Sequence, residues 1–569
     1  MKKTWFVLLI FILGLQLMGN EDIRLNQLGY YPNAVKRFVV VNCTANAFQV
    51  RDPEGKTVSE GKLMDRGFWN TSHEYIKTGD FSSFQKPGKY RVFVEDKGKS
   101  YSFEIKDHLY REALNASLKS FYYQRASMEL TERYAGQWKR PMGHPDNRCF
   151  YHPTSGRSQG YMNSPGGWYD AGDYNKYIVN AGVTVCTLLA LYELYPEAVK
   201  DNAINIPTSG NGISDLLDEV RYELDWVLTM QDTDGGVFLK ITCKKFPGMI
   251  MPHQETAPRY VVGKTTAATL NFSAMTAQAA RVFKKIDNTI ASRCLTAAQK
   301  AWQWAVKNPE LFFRNPADIE TGEYYDADLK EEFFWAAAEL LITTGNDFYR
   351  PYVEKHIDRI KNEKKASWRC FVDELGCFSL ASVGNSVPVS LKKRAVNVIL
   401  RLADGVLKEI HTIPYRIPWR RYEWGSNGEM ANDALILAYA YTHSGKHRFL
   451  EGVIETVDYL FGKNAVGYSF LTGFGKKSPQ NIHQRPSAAD GIDAPIPGFL
   501  VGGPNWERQD SIEKKKYYGV KYPFKEPAKS YLDLTGSFAS NEVCINWNAP
   551  LVFVLAFLEL NHEDMKRRR

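Results

Sequence analysis

The chain has 569 residues, 44% hydrophobic and 24% charged, which excludes a disordered chain and leaves room for more than one domain. The formal charge of +8 sits largely at the ends; with Lys2, Lys3 and the run from Lys566 to Arg569 set aside, about +2 remains over the body, which is no footprint for nucleic acid. Aromatic content is high at 13%, with 13 Trp and 32 Tyr, and one use for such a surplus is stacking on the apolar faces of sugar rings.

The opening "MKKTWFVLLIFILGLQLMGNEDIRL" predicts a secretory signal peptide over residues 1–20. Two lysines precede an apolar run from Trp5 to about Met18, and small and polar residues follow. The run is short for a membrane span, and no later stretch is apolar and long enough to be one. An exported protein is expected, periplasmic or extracellular and acting as a monomer. The eight Cys are scattered with no C-x-x-C, so neither a zinc ribbon nor a dense disulfide scaffold is indicated. Cys370 and Cys377 are a candidate pair, and buried thiols are expected of most others.

Residues 21–107 predict β-structure. "RFVVVNC", "AFQVRD", "GKYRVFVED" and "KSYSFEIKD" are short β-rich runs divided by "DPEGK" and "KPGKY". That spacing predicts a β-sandwich. From residue 108 to 569 helical stripes take over. In "ISDLLDEVRYELDWVLTMQ", Ile213, Leu216, Leu217, Val220, Leu224, Val227 and Leu228 share one face. "AAAELLITTGNDFY" and "ILAYAYTHSGKHRF" are alike: each is an Ala-rich helix ending at a capping Gly, with an aromatic four residues on that is placed to re-enter the core. This recurrence hints at a toroid of helices, with the long loops between stripes building a cleft.

Three stretches carry chemistry. In "GGWYDAGDYNKYIV", Asp170 and Asp173 flank Ala171 and Gly172 among aromatic rings. Alone, they read as turn aspartates bonding nearby N–H groups; as a pair, they can converge on one water. In "YLDLTGSFASNEVCINWNAP", Glu542 precedes an apolar helix and has apolar neighbours, which raise a carboxyl pKa; the alternative is a first-turn cap. In "YSFLTGFGKKSPQNIHQRPS", His483 and Arg485 are two apart on a loop, suited to sugar hydroxyls or to orienting a carboxylate, though a structural arginine beside a surface histidine fits equally. Carboxylates on both sides of an acetal are the usual apparatus of glycoside hydrolysis, roughly 6.5–9.5 Å apart where water enters between them.

Together these motifs resemble glycoside hydrolase family 9, which includes many cellulases, and the likeness spans nearly the whole mature chain. "YEWGSNGEMANDALILAYAYTHSG" and "DLLDEVRYELDWVLTMQ" fit it too, and the opening "IRLNQLGYYPNAVKRFVVV" resembles the immunoglobulin-like module of one branch. The resemblance implies an N-terminal immunoglobulin-like β-sandwich followed by an (α/α)6 barrel, and inverting hydrolysis of β-1,4-glucosidic bonds. It matches Asp173 to the general base, Asp170 to its partner on the water, Glu542 to the general acid, His483 and Arg485 to sugar contacts, and Tyr531 to an aromatic of the same site. Trp168, Trp424 and Trp506 are stacking candidates from the residues themselves, with core packing the alternative.

Departures from the family pattern qualify the cofactors and the substrate. Cys544 stands where a small Ala, Ser or Thr is usual. Tyr169 stands where zinc-binding members have His, and upstream there are only Cys149, His144 and His152, so zinc is not expected. The family often binds calcium; Asp326, Asp328, Glu331 and Glu332 in "YYDADLKEEFFW" are hard oxygen ligands of the right type, or else a solvated helix start. Trp506 stands where Pro is frequent and bears on substrate preference. The expected activity is an endo-β-1,4-glucanase on cellulose-like, mixed-linkage or decorated β-glucan. Alternatives are an exo-acting member trimming cello-oligosaccharides or chitobiose, a non-catalytic glycan-binding protein, and a polysaccharide lyase on a similar toroid.

Overall fold

The computed structural model describes residues 19–157, 159–360, 372–383, 387–418, 421–515 and 519–565. Residues 1–18, most of the expected signal peptide, lie outside them, as does Cys370, the expected partner of Cys377. Cys149, Cys186, Cys243, Cys294 and Cys544 are buried thiols.

Nine strands form the N-terminal module: β1 (Ile23–Arg24), β2 (Gly29–Tyr30), β3 (Arg37–Val41), β4 (Ala47–Arg51), β5 (Thr57–Trp69), β6 (Glu74–Asp80), β7 (Gly88–Val94), β8 (Gly98–Lys99) and β9 (Phe103–Ile105). Their hydrogen-bonded path runs β1-β3-β6-β5-β4-β7-β9-β2, with β8 on β7. The long β5 joins the two halves: its first part pairs with β4 and its last with β6, and the register shifts between Asp65 and Gly67, where a bulge lets one strand bend between layers. In β3 the side chains alternate between two cores. Phe38 and Val40 pack inside the sandwich, whereas Val39 and Val41 join the main core of the molecule, as the two-residue period of a strand dictates. The module is therefore packed onto the rest of the chain.

Twelve of the described helices form the barrel: α1 (Arg111–Gln124), α2 (Ile178–Leu194), α3 (Asp215–Val227), α4 (Thr266–Phe283), α5 (Asn288–Lys307), α6 (Lys330–Thr344), α7 (Arg350–Ile357), α8 (Asp373–Ser382), α9 (Val389–Thr412), α10 (Ser426–Ser444), α11 (His447–Leu460) and α12 (Ile545–Asn561). The even-numbered six make a closed inner ring, α12 packing back on α2, and each outer helix covers an inner neighbour. Burial follows this division. Ile178 to Leu189 of α2 and Met430 to Tyr441 of α10 are buried without a break, the signature of a helix surrounded on all sides. The outer α9 buries Leu391, Ala395, Val398, Ile399, Leu402 and their successors at helical spacing. The two look-alike segments end as their sequences predict: Gly345 and Gly445 cap α6 and α10 in the left-handed region, and Tyr349 and Phe449 return to the core.

A small sheet lies beside the barrel, ordered β11-β10-β14-β13-β12, with β10 Cys149–Tyr151, β11 Tyr161–Met162, β12 Lys176–Tyr177, β13 Phe238–Thr242 and β14 Tyr260–Lys264. Its strand β12 continues directly from the Asp170–Asp173 turn and leads into α2. That turn is thus held between a sheet edge and the first turn of an inner helix.

Candidate active site

The turn at residues 170–173 and the approach to α12 are joined through their backbones. Ala171 and Cys544 form an antiparallel bridge, and the Ile545 N–H donates to the Asp170 carbonyl at 2.9 Å. On the other side His483 and Glu542 form a parallel bridge, and the Arg485 N–H donates to the Gly172 carbonyl at 3.1 Å. Three segments more than 50 residues apart in sequence, the nearest pair being 485 and 542, converge in one ladder. It sets Asp170 and Asp173 opposite Glu542.

Each aspartate has its own donors. Asp170, 1% exposed, accepts from the Asn180 amide at 2.5 Å and from the Tyr324 hydroxyl. Asp173 accepts from the Asn175 amide. That amide is oriented from behind: its oxygen accepts from the Thr242 hydroxyl at 3.0 Å and the Cys243 N–H at 3.1 Å, which leaves the NH2 for Asp173. Burial, followed by the charge of Asp173, pushes Asp170 up, against the opposing donors Tyr324 and Asn180. Burial also raises Asp173, opposed first by the Arg485 guanidinium. Glu542 is raised well above the ordinary carboxyl range by burial and then by the negative charge of Asp173. The push on Glu542 favours its protonated form beside the two aspartates, the arrangement needed where one side gives a proton and the other takes one.

His483 donates from Nδ1 to the Thr535 carbonyl at 2.7 Å. A carbonyl only accepts, so in the neutral ring Nε2 is the unprotonated nitrogen and is left as an acceptor. Burial lowers its pKa to about 4, so the ring is neutral at pH 7. Arg485 is a clamp: Nη1 donates to the Gly172 carbonyl at 2.7 Å, and Nε and Nη2 donate to the Pro247 carbonyl at 3.1 and 3.0 Å. Tyr531 is 5% exposed and donates its hydroxyl to the Asn541 side chain at 2.7 Å, so it stands behind Glu542.

The three tryptophans part company. Trp168 is 1% exposed, its backbone N–H bonded to Glu223 at 2.6 Å and its ring N–H to Glu219 at 3.3 Å. So enclosed a ring has no free face for a sugar, and the stacking expectation is corrected to core packing. Trp424 and Trp506 are 40% and 49% exposed. The Trp424 ring lies 5.4 Å from that of Phe538, itself 5.9 Å from His483, which makes an aromatic wall leading to the carboxylates. Among the acidic candidates, Asp326, Glu331 and Glu332 bring carboxylate oxygens within 4.8 Å of one another. Asp328 is exposed and accepts the Lys330 N–H at 3.2 Å, so it leaves that group.

Asn175, Asn180 and Tyr324 were not singled out in the sequence. Asn175 stands inside the aspartate motif, and an amide two residues after a carboxylate is a detectable signal. Tyr324 comes 154 residues after Asp170 on irregular backbone with φ +50°, where no periodicity reveals it.

A family model for glycosyl hydrolase family 9 matches residues 110–555, and one for the cellulase N-terminal ig-like domain matches residues 19–99. The chain belongs to glycosyl hydrolase family 9. It is a glycoside hydrolase of the endoglucanase type, with the immunoglobulin-like domain and helical barrel that its sequence predicts. It is 41% identical to a xyloglucan-specific endo-β-1,4-glucanase of Bacteroides ovatus, over 95% of this chain and 94% of the relative. A solved family 9 structure from the same organism superposes with a TM-score of 0.87 at 39% identity, covering 95% of this chain and all of that one. A thermostable endoglucanase from Alicyclobacillus acidocaldarius gives 0.85 at 32% identity, covering 95% and 99%.

Proposed function

We propose that this glycoside hydrolase is an exported, inverting endo-β-1,4-glucanase in which Asp173 is the general base and Glu542 the general acid. The observation that carries the reading is the ladder holding the Asp170–Asp173 turn against Glu542, combined with the upward push on Glu542 from burial and from Asp173. Water between the aspartates and the anomeric carbon loses its proton to Asp173 as it attacks. Asp170, fixed by Asn180 and Tyr324, holds that water in line. Glu542 protonates the departing glycosidic oxygen, and the neutral Nε2 of His483 accepts from a sugar hydroxyl. The likeness to a xyloglucan-specific relative favours a decorated β-glucan as substrate, and the exposed Trp424 and Trp506 suit stacking along a glucan chain. The test is Asp173→Asn and Glu542→Gln on xyloglucan and barley β-glucan. Loss of about 10²–10⁴-fold in kcat with folding intact is expected, and wild-type rates in either variant would refute the roles. A β-anomeric first product would refute inversion.

A calcium ion is proposed at Asp326, Glu331 and Glu332. The fit rests on three carboxylates of the hard-donor type with oxygens within 4.8 Å of one another, Glu331 and Glu332 of them buried. The cation would hold the segment that follows Tyr324. Zinc is not expected around Tyr169, which stands where a histidine ligand would be. His144 Nδ1 is bonded to the Tyr169 hydroxyl at 2.8 Å, and Asp146 already has two cations, Lys176 at 2.7 Å and Arg259 at 3.1 Å, which oppose a further cation beside them.

A further inference from the structure

Two side chains of the N-terminal module reach into the loops that carry one half of the site. Gln27, 6% exposed, lies between β1 and β2. Its amide nitrogen donates to the Gly467 carbonyl at 2.8 Å, and its oxygen accepts the N–H groups of Lys476 and Lys477 at 2.8 and 2.9 Å. The segment so gathered passes its position on through backbone bonds: the Val501 N–H donates to the Phe470 carbonyl at 3.1 Å, and the Gly502 N–H to the Glu542 carbonyl at 2.8 Å.

Glu74, 3% exposed, makes the second connection. Its carboxylate accepts from Arg24 at 2.8 and 2.9 Å, from the Tyr415 hydroxyl at 2.9 Å and from Lys529 at 3.0 Å. Beside it the Thr71 carbonyl accepts the Ala528 N–H at 3.1 Å. The Lys529 carbonyl accepts the Tyr531 N–H at 2.9 Å, and the Tyr531 hydroxyl donates to Asn541, the residue before Glu542. The two lines touch where the Phe470 and Tyr531 rings pack at 5.2 Å. The aspartate side is built differently. Among the described residues, the side-chain donors to Asp170 and Asp173 are Asn180, Tyr324 and Asn175, all from the barrel domain.

We propose that Gln27 and Glu74 of the immunoglobulin-like module are positioning residues for Glu542, so that the module governs protonation of the leaving group and not activation of water. The inference rests on reading Glu542 as the general acid. A displaced acid costs rate only where the departing group needs a proton, and misplacement by about 1 Å can cost about a hundredfold.

The experiment compares a β-glucan with a 2,4-dinitrophenyl β-cello-oligoside, whose phenolate departs unprotonated. Gln27→Met removes three hydrogen bonds at near-constant volume, and Lys529→Met severs the Glu74 connection at a less buried position. Each is expected to lower kcat on glucan by about ten- to a hundredfold, with KM and the dinitrophenyl rate little changed; Lys529→Arg restores the glucan rate. Melting temperatures set an assay temperature at which every variant is folded. Equal losses on both substrates, or no loss on glucan, overturn the proposal. Glu542→Gln is the reference: if it shows no leaving-group dependence, the assignment of the acid has failed and the proposal with it. If it does and the other two variants do not, the assignment stands and the role of the module is refuted.

Discussion

A Cβ on Gly172 would stand 2.0 Å from the carbonyl oxygen of His483. The obstacle is backbone, which cannot swing away as a side chain can. The glycine is required here by space, and the contact is what lets the aspartate turn close against the His483–Glu542 strand. Gly172→Ala is therefore expected to separate the two halves of the site. The loss should be about a hundredfold in kcat, with a folded protein by circular dichroism. A fully active alanine variant would show that the close approach is dispensable.

Tyr324 donates its hydroxyl to Asp170. A hydrogen bond to the charged form of an acid lowers its pKa, so Tyr324→Phe raises that of Asp170. With burial and Asp173 already pushing it up, the pair then reaches its doubly charged form, in which Asp170 holds the water and Asp173 takes the proton, at higher pH. The acid limb of the kcat/KM profile should move to higher pH, and the alkaline limb, set by Glu542, should stay in place. A profile that falls evenly at every pH would mean the hydroxyl only props the loop.

That Asp170, Asp173 and Glu542 meet was legible because each lies in a long motif whose neighbours are as characteristic as the acid itself. The barrel was legible because inner helices are apolar around their whole circumference, while outer ones show a stripe. Trp168 was not legible. A tryptophan two residues before the aspartate pair reads the same whether it faces the cleft or the core, and what decides the matter is Glu219 and Glu223 on α3, which take its ring and backbone N–H groups. Arg485 was ambiguous for a related reason: its charge suits a sugar contact or a structural clamp, and among the described residues its side-chain hydrogen bonds go to the carbonyls of Gly172 and Pro247. Sequence shows which chemistry is available, and packing decides which way it points.

Removing a bound divalent cation should act first on stability. If calcium occupies the Asp326–Glu331–Glu332 cluster, a ligand present at a hundred times its Kd contributes about 2.7 kcal/mol. Chelation should then lower the melting temperature, and added calcium should restore it. Glu332→Gln removes one of the buried carboxylates of this cluster and should make the melting temperature indifferent to chelator. Chelator sensitivity that survives this substitution would locate the ion elsewhere.

Glu542 should also be a destabilising residue at neutral pH. Its folded pKa is raised well above the ordinary carboxyl range by burial and by Asp173, while in the unfolded chain it titrates near the ordinary glutamate value of about 4.3. Below that value both states hold the proton and the group costs nothing. As pH rises through it, the unfolded chain releases a proton that the folded protein retains, so stability falls until the folded pKa is reached. Glu542→Gln has no such titration. The variant should melt a few degrees above the parent at pH 7 to 8, and the gain should vanish near pH 4. An enzyme that loses turnover while gaining stability in this pH-dependent way would show that the acid is held protonated at the expense of the fold. A melting temperature offset that does not vary with pH would show that Glu542 is ionised in the free enzyme.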